Sequence, residues 1–444
     1  LLTEDSAGRA FTERYGAILR YDHTIGKWFV WTGQLWQCER TKLAFAWARE
    51  LVRSLAEKAP TKVRYVANKT SFATGVEKFS QSDRACAVTA DLWDQNPYLL
   101  GTPSGTIDLR TGKLKAADPA DYITAVTSIA PTDTIDCPRW LRFLDEAAKK
   151  DADLIAFLRQ FCGYALTGDT REHALLFIYG PGGNGKTVFL NTVVGILGDY
   201  CRTAPMDTFT ASPSDRHPTD LARLKGARMV SAAETEEGRA WAETRIKELT
   251  GGDKIAARFM RQDFFEFTPQ FKLVLIGNHK PTLRNVDEAT RRRFNIVPFI
   301  ERPAKPDKQL ERKLRAEWPG ILRWMIAGCI EWQQHGLIRP SVVTEATEEY
   351  FSEQDVIRQW TEECCDTGRR SLSDTTANLF KSWSAYALEA GEKPGTKKWF
   401  TQSLVRLGFE RTRNPTGHRN KRGFIEIAVT PIAAPDWTDP DGRK

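Results

Sequence analysis

Several kinds of site are missing from this sequence. Its eight cysteines are scattered and none forms C-x-x-C. With only six histidines, no Cys/His cluster has zinc-ligand spacing, which excludes a zinc-ribbon or dithiol redox protein. Cys364 and Cys365 adjoin, but ring-strained vicinal disulfides are rare and buried free thiols are expected. This is cysteine usage of the cytosolic kind, and a cytoplasmic setting is expected. No apolar run approaches the ~18 residues that span a bilayer. The opening stretch, LLTEDSAGRA, carries acids and no apolar core, so it is not a signal peptide. No internal repeat or low-complexity tract is present. Nor does the chain begin with Met, and it reads as an excised part of a longer protein whose upstream activities are missing.

What is present is an ordinary globular composition of 444 residues, enough for two to four domains with buried cores. The balance of 64 basic and 57 acidic residues gives +7. From Arg369 to Arg422 there are 12 Lys/Arg and 4 Asp/Glu, or +8, so the rest sums to about −1. One region carries the whole excess, the usual footprint of a phosphate backbone.

Up to about residue 145 the chain is rich in tryptophan and short strand-like runs. KWFVWTGQLWQCE reads as a hairpin with a Thr-Gly turn, and SGTIDLRTGKL as another turning at Arg110-Thr111-Gly112. Apolar spacing marks a helix over Leu43 to Glu57. IAPTDTIDCPRW reads as a linker because its prolines break helix and strand. A helix follows at Asp151 to Leu166, then a strand from His173 to Tyr179, a glycine loop and a helix from Lys186. Further strands are predicted at Arg228 to Ala232, Lys272 to Ile276 and Phe294 to Pro298, with helices at Ala242 to Leu249 and Trp318 to Gln334. Alternating strands and helices argue for an α/β fold with a mostly parallel sheet. HGLIRPSVV begins a connector, followed by helices at Ala377 to Ala390 and Thr396 to Arg406, a hairpin-like tail and a frayed terminus, DWTDPDGRK.

The stretch LLFIYGPGGNGKTVFLN contains G-x-x-x-x-G-K-T between a predicted strand and a predicted helix, the context that supports a Walker A loop. A polyphosphate needs backbone N–H groups converging from several directions, and side chains would block them. Gly180, Pro181, Gly182, Gly183, Asn184 and Gly185 would form that cradle, with the partial positive charge of the helix N-terminus behind it. Lys186 would bridge the β- and γ-phosphates of ATP, and the Thr187 hydroxyl would ligate Mg2+. The alternative is a glycine-rich turn that binds nothing.

Hydrolysis needs an acid at the end of a neighbouring strand. ARMVSAAETEEG runs into Glu234, which suits polarising water or holding Mg2+ through water; the bland reading is acids that cap the next helix. Glu236 and Glu237 read as solvated. KLVLIGNHKP ends its apolar run at Asn278, an amide able to orient water, or simply a turn former. DEATRRRFNIVPF sets Arg291, Arg292 and Arg293 before a strand. A guanidinium there would stabilise a transferring phosphoryl group as a finger supplied by a neighbouring subunit, or else join a structural ion pair.

In their order, Walker A, SAAETEEG, TGGDKIAARFMRQDFFEFTP, GNHKP and RRRF, these motifs resemble the superfamily 3 helicases of the phage/plasmid primase and poxvirus primase-helicase type. The resemblance implies an AAA+-like P-loop ATPase core, built into hexameric rings around DNA. Before it, RYGAILRYDHTIGKWFVWTGQLW and GTIDLRTGKLKAADPADYIT resemble the α+β domain that precedes the helicase in that family; after it, the basic region resembles a winged helix. The implied domains are 1–145, 146–340 and 341–444. Carried over by position, Lys186 and Thr187 hold phosphates and Mg2+, Glu234 is the Walker B acid, Asn278 the sensor, and Arg292 with Arg293 the finger. One departure is that Thr235 follows Glu234, where many Walker B motifs carry a second acid, so a shared role for Glu236 is open.

The resemblance also gives meaning to DKIAARFMRQDFFEF, read as strands Ile255 to Phe259 and Phe264 to Phe267. In the family such hairpins project into the channel and grip the DNA backbone. Arg261 at the tip, with Lys254 and Arg258 behind it, would contact phosphates without base specificity. In the C-terminal region Lys397 and Lys398 would begin a recognition helix, and Arg411, Arg413, Arg419, Lys421 and Arg422 would decorate a wing. The expectation is a replicative DNA helicase of a phage, prophage or plasmid, translocating 3′ to 5′ by resemblance. The rivals are an ATP-switched origin-binding or loading factor and a non-motor P-loop enzyme. Asp91 and Asp94, spaced D-x-x-D, do not make a primase site.

Overall fold

Thr3 starts the first helix. Its hydroxyl accepts from the Ser6 N–H at 3.1 Å while the Ser6 hydroxyl accepts from the Thr3 N–H at 2.9 Å, a reciprocal cap on α1 (Glu4–Tyr15). The computed structural model describes residues 1–430 apart from 212–218, 234–238, 259–262, 284–286, 304 and 391–393. The chain divides into two units, Leu1–Thr347 and Glu348–Lys444.

In the first unit α1 is followed by β1 (Leu19–Asp22), β2 (Lys27–Trp31), β3 (Trp36–Cys38), α2 (Leu43–Leu55), α3 (Thr61–Ala67), α4 (Thr70–Ser82) and β4 (Ala87–Val88). The strands form a sheet in the order β3-β2-β1-β4, antiparallel except for the β1–β4 pair. Phe11, Trp28, Val52, Phe72 and Val76 meet in its core. A second antiparallel sheet joins β5 (Leu99–Thr102), β6 (Gly105–Asp108) and β7 (Lys113–Lys115). Both hairpins fall where the alternating pattern and the Thr-Gly turns predict them.

Two helices, α5 (Pro138–Ala147) and α6 (Ala152–Ala165), lead to β8 (Leu175–Tyr179) and α7 (Lys186–Leu197). Then come β9 (Cys201–Thr203), α8 (Thr219–Ala222), β10 (Met229–Ala233), α9 (Glu243–Gly251), the hairpin β11 (Ile255–Ala257) and β12 (Phe265–Phe267), β13 (Lys272–Gly277), α10 (Glu288–Arg291) and β14 (Phe294–Pro298). Helices α11 (Leu310–Arg315) and α12 (Trp318–His335) follow, and α13 (Ser341–Gln354) spans the division between the units. Five strands make a wholly parallel sheet in the order β14-β8-β13-β10-β9. Leu175, Leu176, Phe177 and Ile178 of the interior strand β8 are fully buried, which explains a continuous apolar run rather than an alternating one. The loop after β8 opens at the carboxyl edge, where open parallel sheets take ligands.

Buried polar groups tie the N-terminal region to this sheet. Arg228, just before β10, donates to the carbonyls of Leu166 and Leu99, both at 2.6 Å. The Tyr200 hydroxyl accepts from the Gly101 N–H and donates to the Ala125 carbonyl, each at 2.8 Å. Asp94 is half-buried and accepts from the Thr124 N–H at 2.9 Å, a structural role.

The second unit contains α14 (Val356–Cys364), β15 (Cys365–Thr367), β16 (Ser373–Thr375), α15 (Thr376–Glu389), α16 (Lys397–Arg406), β17 (Arg411–Thr412), β18 (Gly423–Ile425) and β19 (Ile427–Val429). A three-stranded sheet runs β16-β18-β17, and β15 pairs with β19. Trp360, Trp383, Phe400 and Phe424 form the core.

Three local expectations change. The segment read as a linker ends in helix α5, because Pro138 sits at a helix start, where a missing N–H costs nothing, and the buried Glu317 carboxylate accepts from the N–H groups of Arg139 and Trp140 at 3.0 Å. The connector after HGLIRP becomes helix α13. The hairpin strands are shorter than predicted, Ile255–Ala257 and Phe265–Phe267. The terminus DWTDPDGRK lies outside the described residues. Cys364 and Cys365 are both free thiols, and among the described residues no helix is long and apolar enough to cross a membrane.

Candidate active site

The loop from Gly180 to Gly185 joins the buried strand β8 to helix α7, and its backbone dictates its composition. A Cβ on Gly180 would stand 1.9 Å from the Phe299 carbonyl oxygen. Gly185 has φ +85°, and a Cβ there would meet the Phe143 ring at 2.6 Å. Neither position admits a side chain. Between them Asn184 is a latch: its Nδ2 donates to the Phe299 carbonyl and its Oδ1 accepts from Lys186 Nζ at 2.9 Å. Pro181, Gly182 and Gly183 complete the turn, with Gly182 and Gly183 both at positive φ.

Lys186 is the first residue of α7, and its side chain folds back over the loop, where Nζ also donates to the Gly180 carbonyl at 2.6 Å. It is only 6% exposed, and burial holds its ammonium below the usual lysine range. Among the described residues no acceptor faces the N–H groups of Gly183, Asn184, Gly185, Lys186 or Thr187. A set of N–H groups at the mouth of a twelve-residue helix, with a buried cation beside them, is a surface built for an anion. The Thr187 hydroxyl belongs to an exposed residue next to it.

The sheet register brings the neighbouring strand ends to this edge. Gly277 of β13 lies opposite Tyr179 of β8, so Asn278 stands level with the start of the loop. A Cβ on Gly182 would be 3.9 Å from Asn278 Oδ1. Strand β10 ends at Ala233 on the same edge, and Glu234 follows it; Glu234, Glu236 and Glu237 lie outside the described residues.

Arg302 was not legible as a site residue. It lies between β14 and α11, yet its Nε donates to the Gly182 carbonyl at 3.0 Å and its Nη2 to the Pro181 carbonyl at 3.1 Å. It thereby fixes the outward-facing carbonyls of the loop. The sequence holds no signal for this, because nothing local says that residue 302 returns to residue 182.

Arg292 and Arg293 are not brought to the loop of their own chain. They precede β14, at the amino edge of the sheet, and β14 runs parallel to β8 with Phe294 opposite Leu175. The two arginines also differ. Arg293 is 8% exposed and donates from Nε to Thr250 Oγ1 at 3.1 Å and from Nη1 to the Ala289 carbonyl at 2.5 Å. The Arg292 side chain is exposed.

The remaining candidates lie on separate elements. Lys254 is exposed just before β11, and Arg258 just after it has its guanidinium 4.7 Å from the centre of the Phe264 ring. Arg261 lies outside the described residues. In the second unit Lys397 and Lys398 are exposed at the start of α16, where the Thr396 hydroxyl accepts from the Trp399 N–H. Arg411, Arg413, Arg419, Lys421 and Arg422 are all exposed, on β17 and on the segment that returns to β18. The fold thus brings five cations onto one hairpin. Among the described residues no cluster of three or more His, Cys, Asp or Glu is arranged to hold a metal ion.

Known proteins share both parts of this first unit. Residues 8–148 match the family described as D5 N terminal like, and residues 178–293 match a family of unknown function (DUF5906). The chain is 28% identical over 296 residues to "Putative helicase L207/L206" of Acanthamoeba polyphaga mimivirus, covering 60% of this chain and 30% of that protein. It is 30% identical over 222 residues to "Putative helicase 184R" of Invertebrate iridescent virus 6, covering 47% and 23%. It is 25% identical over 232 residues to "Putative primase C962R" of African swine fever virus, covering 50% and 24%. The chain therefore spans less than a third of the length of these relatives. In fold it is similar to the C-terminal region of NrS-1, with a TM-score of 0.51 at 10% identity over 96% of this chain and 100% of that one. Residues 8–148 are thus similar to the D5 N terminal like family, and the chain is similar to viral proteins named putative helicases and a putative primase.

Proposed function

We propose that this chain is the ATP-driven DNA helicase part of a replicative primase-helicase, working as a ring, hexameric by resemblance, on single-stranded DNA. The observation that carries the reading is the glycine cradle with Lys186 inside it at the carboxyl edge of a parallel sheet. In this reading the loop N–H groups and Lys186 seat the phosphates of ATP, and Asn278 orients the attacking water toward them. Thr187 and Glu234 would hold Mg2+, which supplies charge neutralisation at the phosphates when bound. Lys186 is then exchanged from its bonds with Gly180 and Asn184 onto phosphate oxygens, which restores the charge that burial disfavours.

The position of Arg292 supports a site shared between subunits. It is exposed at the sheet edge opposite the loop, so within one chain it faces away from its own cradle and can complete only a neighbour's. Arg293 fixes the turn that presents it, through Thr250 and Ala289. The hairpin of β11 and β12, with Lys254, Arg258 and Arg261, would carry the strand, and sequential hydrolysis would move it. The order α14-β16-α15-α16-β17-β18, with cations at the start of α16 and along the last hairpin, supports a winged helix that contacts DNA. The test is ATP turnover with and without single-stranded DNA. Several-fold stimulation is expected, and turnover indifferent to DNA contradicts the reading.

A further inference from the structure

Helix α3 of the N-terminal domain wears its contact stripe on the outside. Ala67 faces the core, at 4% exposure. Lys62, Tyr65, Val66 and Lys69 follow the spacing i, i+3, i+4, i+7 that puts residues on one helical face, and all four are exposed. Tyr65 is 70% exposed and Val66 47%. Lys69 Nζ sits 4.9 Å from the centre of the Tyr65 ring, which confirms that the stripe continues past the helix end. The stretch from Lys58 to Lys69 holds four basic residues and no acid. Among the described residues none of these cations is in an ion pair.

We infer that this face of α3 is a binding site for single-stranded nucleic acid, separate from the ATPase core and independent of nucleotide. An exposed aromatic ring flanked by lysines matches the two parts of an unpaired strand: a base can stack on Tyr65 while phosphates on either side meet Lys62 and Lys69. A duplex offers the phosphates but keeps its bases stacked, and an acidic peptide offers charge but no planar group for the ring. The inference rests on DNA being what the chain acts on, and it adds a hold on the strand that persists while the motor exchanges nucleotide.

The experiment measures binding of the full chain to fluorescent oligo(dT) by anisotropy, without nucleotide and across a salt series. Tyr65→Ala should weaken binding about tenfold, within the range known for loss of one stacked base, while Tyr65→Phe keeps it. Lys62→Ala with Lys69→Ala should flatten the slope of log affinity against log salt by roughly 1.4, about 0.7 for each phosphate released. ATP turnover without DNA and the melting temperature should not change, and affinity for a blunt duplex should not respond to Tyr65→Ala. If the wild-type chain binds oligo(dT) and the variants bind it equally, the site is refuted while the helicase reading stands. If the wild-type chain binds no oligo(dT) without nucleotide, the site is refuted; if it also binds none with ATP and Mg2+ present, the helicase reading falls too. Variants that keep oligonucleotide affinity but lose association with anionic phospholipid vesicles would also overturn the assignment.

Discussion

Lys186 and Arg292 stand at opposite edges of one parallel sheet. Lys186 follows the loop at the carboxyl end of β8, and Arg292 precedes the amino end of β14, the strand beside it. The paired length from Phe294 to Pro298 alone separates the two edges by ~13 Å. A phosphate held at Lys186 is out of reach of the same chain's Arg292, and this separation makes the two residues separately testable.

Lys186→Ala is expected to lower ATP turnover by about a hundredfold or more, because it removes a charge-assisted donor at the reacting phosphates. The fold should survive, since Gly180 and Asn184 keep their other bonds. Steady-state turnover and a thermal melt check both halves of this expectation.

The arginines should split. Arg293→Ala leaves the Ala289 carbonyl without this donor and removes one of the two bonds of the buried Thr250 hydroxyl, which keeps its bond to the Ile246 carbonyl. A loss of about 1–3 kcal/mol is expected, read as a lower melting temperature. Arg292→Ala should leave the melt unchanged and lower turnover by roughly 10³. Mixing Arg292→Ala subunits with Glu234→Gln subunits should restore part of the activity if, as proposed, each composite site draws on two chains. Absence of rescue in assembled mixed rings would count against the shared site.

Arg302→Ala should act on binding rather than on the chemical step. It releases the carbonyls of Pro181 and Gly182, both at an exposed surface, so ~1 kcal/mol and a several-fold rise in KM for ATP are expected with kcat little changed. Arg302→Lys should recover only part of the loss, because a lysine cannot span both carbonyls with a fixed fork. An equal fall in kcat would instead make Arg302 a group that acts on the reacting phosphate.

Arg261→Ala should impair unwinding more than ATP turnover without DNA, because a phosphate contact moves the strand and does not make the nucleotide site. Parallel strand-displacement and turnover assays decide it; equal losses would make the hairpin structural.

The legible parts of this protein are the local ones. The glycine loop could be read because strand, turn and helix lie within a short stretch of chain, and the boundaries of β14 fall where the apolar run does. Helix α5 was hidden because its cap, Glu317, is supplied from far along the chain. The three consecutive arginines are equivalent in sequence, and only the packing of Thr250 against Arg293 tells it apart from Arg292. Arg302 and the Asn184–Phe299 bond are invisible for the same reason: both depend on β14 lying beside β8, which no local pattern encodes.

The most direct measurement is strand displacement from a forked duplex by the purified chain, with wild type and Lys186→Ala compared under saturating ATP and Mg2+. The expected result is separation of the strands by the wild type, dependent on hydrolysable ATP, and none by the variant. An assembled wild-type chain that turns over ATP yet leaves the fork intact would contradict the helicase assignment.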